Sequence, residues 1–496
     1  MLIKISASTG PFTEALDIAD KNEIKKTSWI TLFIGENGTQ KSRLLRFIAD
    51  TSTGSAFPKA AGFHKSGIAV ERTDDSKFNR VIALSGTPLD RFPRSRTLTG
   101  FRKSAPFKTA QDTFIYFGQR ASNGVASSNE SAKALVASFL SNRDRLSERK
   151  DALHSVFSVL DLQPEIRVKF SVSRTQNEQL SESLLSGDID AFVEKLRHYS
   201  TSYTQILLKR GITKYTDARD ASIIIKNLND DTFLKRAFEI LSNLDDRPYL
   251  LLSTARNTVR RQTLPLAFWR MLLAVGTIEI GGISVKPGGG TQSLWPNVHS
   301  IPGSYLSSGQ WGWLSTLGGL AVEIEDNTLV LIDEPENSLH PAWQQAYVPT
   351  LLEILSKYVG CHTIVATHAP LIASGLPPDC GNIRRLIREP AEDGAPRIRS
   401  YSAKNTFGWS ASDTYEELFQ LESTRAEIFN SYAQEALHLV RAGAGNKTEI
   451  NRLTNILQTL RSNLPILDPM RHVIGDVMTS LDRISQNSVK SGDAHE

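Results

Sequence analysis

A chain of 496 residues with 40% hydrophobic content is long enough for several compact units of the usual roughly 100–200 residues each, and it is too apolar to be a disordered chain. Its 57 basic and 53 acidic residues leave a formal charge of +4, too balanced to indicate a nucleic-acid partner without local clustering. Cys361 and Cys380 lack metal-ligand spacing, which points to a reducing compartment without a disulfide scaffold. The opening MLIKISASTGPF has no charged region followed by an apolar core, and no window reaches about 18 uninterrupted apolar residues. A cytoplasmic chain without a membrane partner is therefore expected.

In chain order, Ser28 to Ile34 is apolar and rich in β-branched and aromatic residues, and it runs directly into the glycines of GENGTQKS. Leu44, Leu45 and Ile48 then recur at helical spacing, so a strand, a loop and a half-buried helix are predicted in succession. Two further strands are expected at Arg80–Leu84 and Thr113–Phe117, separated by a basic, proline-containing segment. From about 130 to 275 apolar residues fall at three- and four-residue steps and predict a helical insertion. The glycine-rich seam GGISVKPGGGTQS reads as a turn or flexible loop. Beyond it, Thr328–Ile332 and His362–Thr367 are continuous apolar runs typical of strands buried on both faces of a parallel sheet, with a helical crossover between them. Helical patterning resumes after about 410, and the tail SQNSVKSGDAHE is expected to be disordered.

Four segments carry chemistry. Gly35, Asn37, Gly38, Thr39, Gln40, Lys41 and Ser42 lie in a near-match to the phosphate-binding pattern G-x-x-x-x-G-K-[ST], with Gln40 in place of the second glycine. There Lys41 supplies charge for phosphates, Ser42 a ligand for Mg²⁺, and the backbone amides line an anion site at the helix start. Asp333 and Glu334 end an apolar strand, where Asp333 is placed beside a metal held by Ser42 and Glu334 can polarise the water that attacks a γ-phosphate. Ser307, Ser308, Gly309 and Gln310 precede that strand and form an anion nest at a helix start, or a plain N-cap. His368, in Thr367-His368-Ala369-Pro370, follows the second buried strand, where it can contact the γ-phosphate and sense its loss.

Together and in this order, the segments resemble an ABC-type ATPase of the SMC-like and OLD-like branch. GENGTQKS resembles Walker A, LSSGQ the ABC signature, LVLIDE Walker B, Asn337 to His340 the D-loop, and THAP the switch-histidine loop. The resemblance covers residues of about 1–120 and 290–410. It implies an α/β fold: an ABC-type P-loop ATPase head in two lobes (1–125 and 281–410), a helical insertion (126–280) and a C-terminal helical region (411–496). It also implies ATP and Mg²⁺ as ligands, a Q-loop glutamine for which Gln119 is the candidate, and a homodimer or higher oligomer in which LSSGQ of one chain faces Lys41 of another.

Sustained heptads are absent, which argues against long SMC arms, and no DxD strand follows His368 to suggest a nuclease domain. The spelling DEPENSLHP and THAPLIAS is similar to ATPases of bacterial anti-phage systems such as Septu, PARIS and some retrons. That likeness implies a regulatory scaffold for a separate effector, such as a nuclease, docked on the insertion or on 411–496. The alternative is a DNA-repair ATPase of the RecF type. Its phosphate contacts would come from Arg91, Arg94, Arg96, Arg102, Lys103 and Lys108, with Arg256, Arg260 and Arg261 as a smaller cluster. An ABC-transporter subunit is disfavoured by the long insertion.

Overall fold

The computed structural model describes the chain apart from residues 8–10, 13, 25–26, 54–67, 74–76, 93–113, 119–127, 174–177, 211–214, 245–249, 255–263, 290–297, 391–396, 444 and 493–496. It divides into two compact units, Met1–Thr414 and Tyr415–Glu496.

The first unit is built on a seven-stranded sheet in the order Arg397–Ala403, Gly381–Glu389, Trp29–Ile34, His362–Ala366, Thr328–Asp333, Arg80–Ser85 and Phe114–Phe117. All neighbours are parallel except the edge strand Arg397–Ala403. Burial on both faces explains the unbroken apolar runs: every residue of Trp29–Ile34, Arg80–Ser85, Thr328–Asp333 and His362–Ala366 is buried. One face packs on the helix Lys41–Ser52 through Leu44, Leu45, Phe47 and Ile48. Beside this core lies a small antiparallel sheet of Leu16–Asp17, Leu2–Ala7 and Ile68–Arg72. The helix Ser308–Glu323 is buried over nearly its whole length and packs with Ser128–Ser141 and Lys150–Ser158.

The register aligns the strand ends that matter. Asp333 pairs with Ala366 on one side and Ser85 on the other, and Ala366 pairs with Phe33, so these four residues form one row at the C-terminal edge. In open parallel sheets this edge is where ligands bind, because loops and helix N-termini converge there.

Two expectations for the stretch before residue 300 are corrected. The insertion is not purely helical: Leu162–Val172, Leu250–Ser253 and Ile278–Pro287 form an antiparallel sheet with Ile301–Pro302. Ile166, Val168 and Phe170 are buried at alternate positions while charged residues fall between them, the period of two of a half-buried strand. The seam expected to be a loop is in part the strand Ile278–Pro287. There buried Ile283 and Val285 outweigh Gly281 and Gly282, and the register shifts opposite those glycines, between Lys169 and Phe170.

The second unit contains the helices Glu427–Ala442, Lys447–Asn463 and Met470–Gly492, closed by Ala436, Leu439, Ile450, Leu453, Leu457, Ile474 and Leu481. The last helix continues to Gly492, so the tail from Ser485 is helical over most of its length rather than disordered. Among the described residues no helix is long and apolar enough to cross a membrane.

Candidate nucleotide site

GENGTQKS connects the strand Trp29–Ile34 to the helix Lys41–Ser52, the strand, loop and helix context that phosphate binding requires. Gly35 is at φ 154°, and a β-carbon there would lie 2.6 Å from the Leu386 carbonyl oxygen, so the first glycine is needed for close packing. Gly38 has φ 87° with nothing near its missing β-carbon, which leaves the loop open on that side. Gln40 is at φ 62° and ψ 30°, the left-handed conformation that glycine adopts without cost. Its side chain does not fill the cradle through its own tip, because Oε1 accepts from Arg43 Nη1 at 2.9 Å.

Lys41 is buried, and its ammonium donates to the carbonyl oxygens of Gly35 at 2.8 Å and Glu36 at 3.1 Å, and to Thr39 Oγ1 at 3.4 Å. Burial lowers its pKa to about 8, against the pull of Glu334, Glu336 and Asp333. Ser42 Oγ donates to Asp333 Oδ1 at 3.0 Å. Burial raises the Asp333 pKa to about 7. The bond from Ser42 opposes the rise, and Glu334, Asp90 and Glu336 reinforce it.

These residues fit a divalent cation. Asp333 Oδ2 is buried without a hydrogen-bond partner, beside a hydroxyl, and the neighbouring acids Glu334, Asp90 and Glu336 add negative charge that calls for a positive one. Among the described residues no group of three or more His, Cys, Asp or Glu side chains is placed to hold a metal. Mg²⁺ commonly binds through one or two protein ligands with substrate phosphates completing its shell, so the small ligand set suits it.

Glu334 sits just past the strand end at φ 45°, a strained position for a residue with a side chain, and Asn337 Nδ2 donates to its Oε2 at 2.8 Å. Gly86 permits this turn, since a β-carbon there would lie 2.1 Å from the Glu334 carbonyl oxygen. His368 is half-buried. Burial lowers its pKa first and the Lys41 charge second, with Glu334 opposing, so Lys41, Glu334 and His368 share one electrostatic neighbourhood.

LSSGQ opens the helix Ser308–Glu323, with Ser307 and Ser308 exposed. Within the chain Gln310 acts as part of the N-cap, the second of the two roles its position allows. Its side chain accepts from Ser307 N at 2.8 Å while Ser307 Oγ accepts from Gln310 N at 3.2 Å, so the pair is a capping box. Gly309 is required by packing, because a β-carbon there would lie 2.2 Å from the Ser338 carbonyl oxygen. Gln119 lies outside the described residues, as do the basic positions Arg94 to Lys108 and Arg256 to Arg261. Residues not singled out from sequence are Gly86, Asp90 and Glu336. The third acid of DEPENSLHP, Glu336, carries no periodic signal that would mark it.

Residues 301–374 match the family described as "AAA domain, putative AbiEii toxin, Type IV TA system", a stretch that includes Ser307 to Gln310, Asp333, Glu334 and His368 but not GENGTQKS. The chain is 33% identical over 129 residues to Protein ea59 of Escherichia phage lambda, covering 26% of this chain and 23% of that protein. It thus spans about a quarter of the length of that curated relative. Similar solved structures include an Smc head bound to the C-terminal winged-helix domain of ScpA (12% identity, TM-score 0.28, 82% of this chain and 98% of that one). Another is the Smc head with an extended coiled coil bound to the C-terminal domain of ScpA from Pyrococcus furiosus (14%, 0.32, 81% and 96%). A third is UvrA2 from Deinococcus radiodurans (11%, 0.31, 84% and 39%). The family match identifies an AAA-type ATPase-like domain within this chain.

Proposed function

We propose that the chain binds MgATP at the start of the helix Lys41–Ser52 and hydrolyses it to ADP and phosphate. The observation that carries this reading is the meeting of Lys41, Ser42, Asp333, Glu334 and His368 at one edge of the sheet. Loop amides and Lys41 bind the phosphates, the ammonium exchanging its carbonyl partners for phosphate oxygens. Ser42 and Asp333 hold Mg²⁺, which when bound neutralises charge on the phosphates. Glu334, oriented by Asn337, polarises the attacking water, and His368 contacts the γ-phosphate. The strained, side-chain-bearing Gln40 favours slow or partner-gated turnover.

Exposed Ser307 and Ser308 at a helix start support a nucleotide-dependent dimer in which this nest completes the site of a second copy. On this reading the chain is a regulatory ATPase that controls a separate effector, such as a nuclease, in an anti-phage system. What supports this assignment is the likeness of DEPENSLHP and THAPLIAS to ATPases of such systems.

The test is direct. Fluorescent-ATP binding and phosphate release are measured for the wild type, Lys41→Ala and Glu334→Gln. Loss of binding in the first variant, and retained binding with lost turnover and a trapped dimer in the second, are expected. Unchanged binding and turnover in both would overturn the proposal. For the defence role, phage plating on cells carrying the gene and its neighbours should lose protection with Glu334→Gln.

A further inference from the structure

Asp333, Glu334 and Glu336 lie within four residues, yet their surroundings differ. Glu334 gives one oxygen to Asn337 Nδ2. Glu336 commits both: Oε1 accepts from the backbone N–H of His368 at 2.6 Å, and Oε2 accepts from Thr367 Oγ1 at 2.8 Å. Thr367 Oγ1 accepts in turn from Ala369 N at 3.0 Å. A single carboxylate therefore fixes three consecutive residues of the turn between the strand His362–Ala366 and the short helix Pro370–Ala373. Thr367 and Ala369 are buried, so without Glu336 the hydroxyl and the His368 amide would lack acceptors where water has little access.

The segment that carries Glu336 touches other motifs. Asn337 holds Glu334, and the Ser338 carbonyl packs against Gly309 at the start of the Ser308–Glu323 helix. A movement of residues 336–338 is therefore transmitted to the glutamate, to the histidine turn and to the signature helix together.

We infer, resting on the ATPase reading above, that Glu336 is a positioning residue that clamps the Thr367–Ala369 turn and so sets His368 against the γ-phosphate of ATP. With both oxygens engaged by the turn, Glu336 does not polarise water. That task stays with Glu334. The two glutamates of DEPE thus divide the work, one acting on water and the other on the geometry of the histidine.

The test compares the wild type with Glu336→Ala, Glu336→Gln and Glu336→Asp, alone and with His368→Ala. It reads hydrogen exchange at residues 367–369 and steady-state ATP turnover. Glu336→Ala should speed exchange of the His368 amide about 10-fold or more. It should also lower kcat about 10-fold or more while leaving KM for ATP within about threefold. Glu336→Gln keeps an acceptor for the amide and should restore part of both. In the His368→Ala background Glu336→Ala should add little, because both changes act through one group. If the alanine variant does not fold, Glu336→Asp, shorter by one methylene, should show the same two effects to a smaller degree.

Unchanged protection of the His368 amide, or losses that multiply in the two backgrounds, would overturn the inference. A wild-type chain that fails to hydrolyse ATP while its His368 amide still loosens with Glu336→Ala would overturn the ATPase reading and leave the clamp in place.

Discussion

Ser42 Oγ donates to Asp333 Oδ1 at 3.0 Å, joining the first turn of a helix to the end of a strand 291 residues later. The bond leaves the other carboxylate oxygen buried and unpartnered, an arrangement that costs stability unless a cation is bound. Replacing Asp333 with Asn removes the buried charge and keeps the shape. We expect Asp333→Asn to melt at or above the wild-type temperature without nucleotide, while Mg²⁺-dependent ATP binding is lost and turnover falls roughly 100-fold. Thermal melts with and without MgATP check both halves, and a variant that is less stable yet fully active would contradict the assignment.

Gln40 holds a left-handed φ of 62° that glycine accepts freely, and the penalty for a side chain there is about 1 kcal/mol. Gln40→Gly forfeits the bond to Arg43 but removes that strain and opens the backbone to phosphate. Turnover should rise and stability should change by no more than about 1 kcal/mol, gain and loss offsetting. Phosphate release beside urea unfolding tests this, and unchanged turnover in a fast wild type would count against it.

The parallel core was legible because its strands are buried on both faces: Thr328–Ile332 and His362–Ala366 appear as unbroken apolar runs. Leu162–Val172 was not, since Glu165, Arg167 and Lys169 interrupt it at every second position and helices dominate around it. The meeting of Lys41, Ser42 and Asp333 at one edge of the sheet was legible from loop and strand-end chemistry. The bond from His368 to Glu336 was not, because a separation of 32 positions carries no spacing that announces it. Gln310 shows the converse: Ser307-x-x-Gln310 is a capping-box pattern in the sequence itself, and the cap is the role it takes.

The two loop glycines serve different purposes, and alanine separates them. At Gly35 the new carbon would lie 2.6 Å from a backbone oxygen of the adjoining strand Gly381–Glu389, so the sheet must shift. Gly35→Ala should destabilise by about 2–4 kcal/mol or prevent folding. Gly38→Ala meets no atom within 4 Å and pays only for φ 87°, about 1–2 kcal/mol, but places a methyl where phosphate approaches. It should fold and bind ATP more weakly. Unfolding curves and ATP titrations for both would show this ordering, and the reverse order would refute it.

His362 supplies one separable part of the pH dependence. It is fully buried, its Nδ1 accepts from Leu2 N at 3.0 Å, and its Nε2 lies 3.0 Å from Thr31 Oγ1. Thr31 spends its own hydrogen on Asn382 Oδ1 at 2.8 Å, so its oxygen accepts from Nε2–H and the ring is neutral with both nitrogens satisfied. Burial lowers its pKa from 6.5 to about 3. Between those values the unfolded chain binds the extra proton and the folded chain does not, so stability is complete above the unfolded pKa and is lost as pH falls toward the folded one. The slope contributed is at most about 1.4 kcal/mol per pH unit. His362→Gln should be less stable than the wild type at pH 7.5 by about 1–2 kcal/mol, through lost hydrogen bonds. It should close that gap by up to about 2 kcal/mol near pH 5, because it has no imidazole to protonate on unfolding. Denaturant unfolding of both proteins at the two pH values measures the convergence. Parallel pH profiles would mean that His362 titrates alike in the folded and unfolded chains, and that the Leu2 and Thr31 bonds do not hold it neutral.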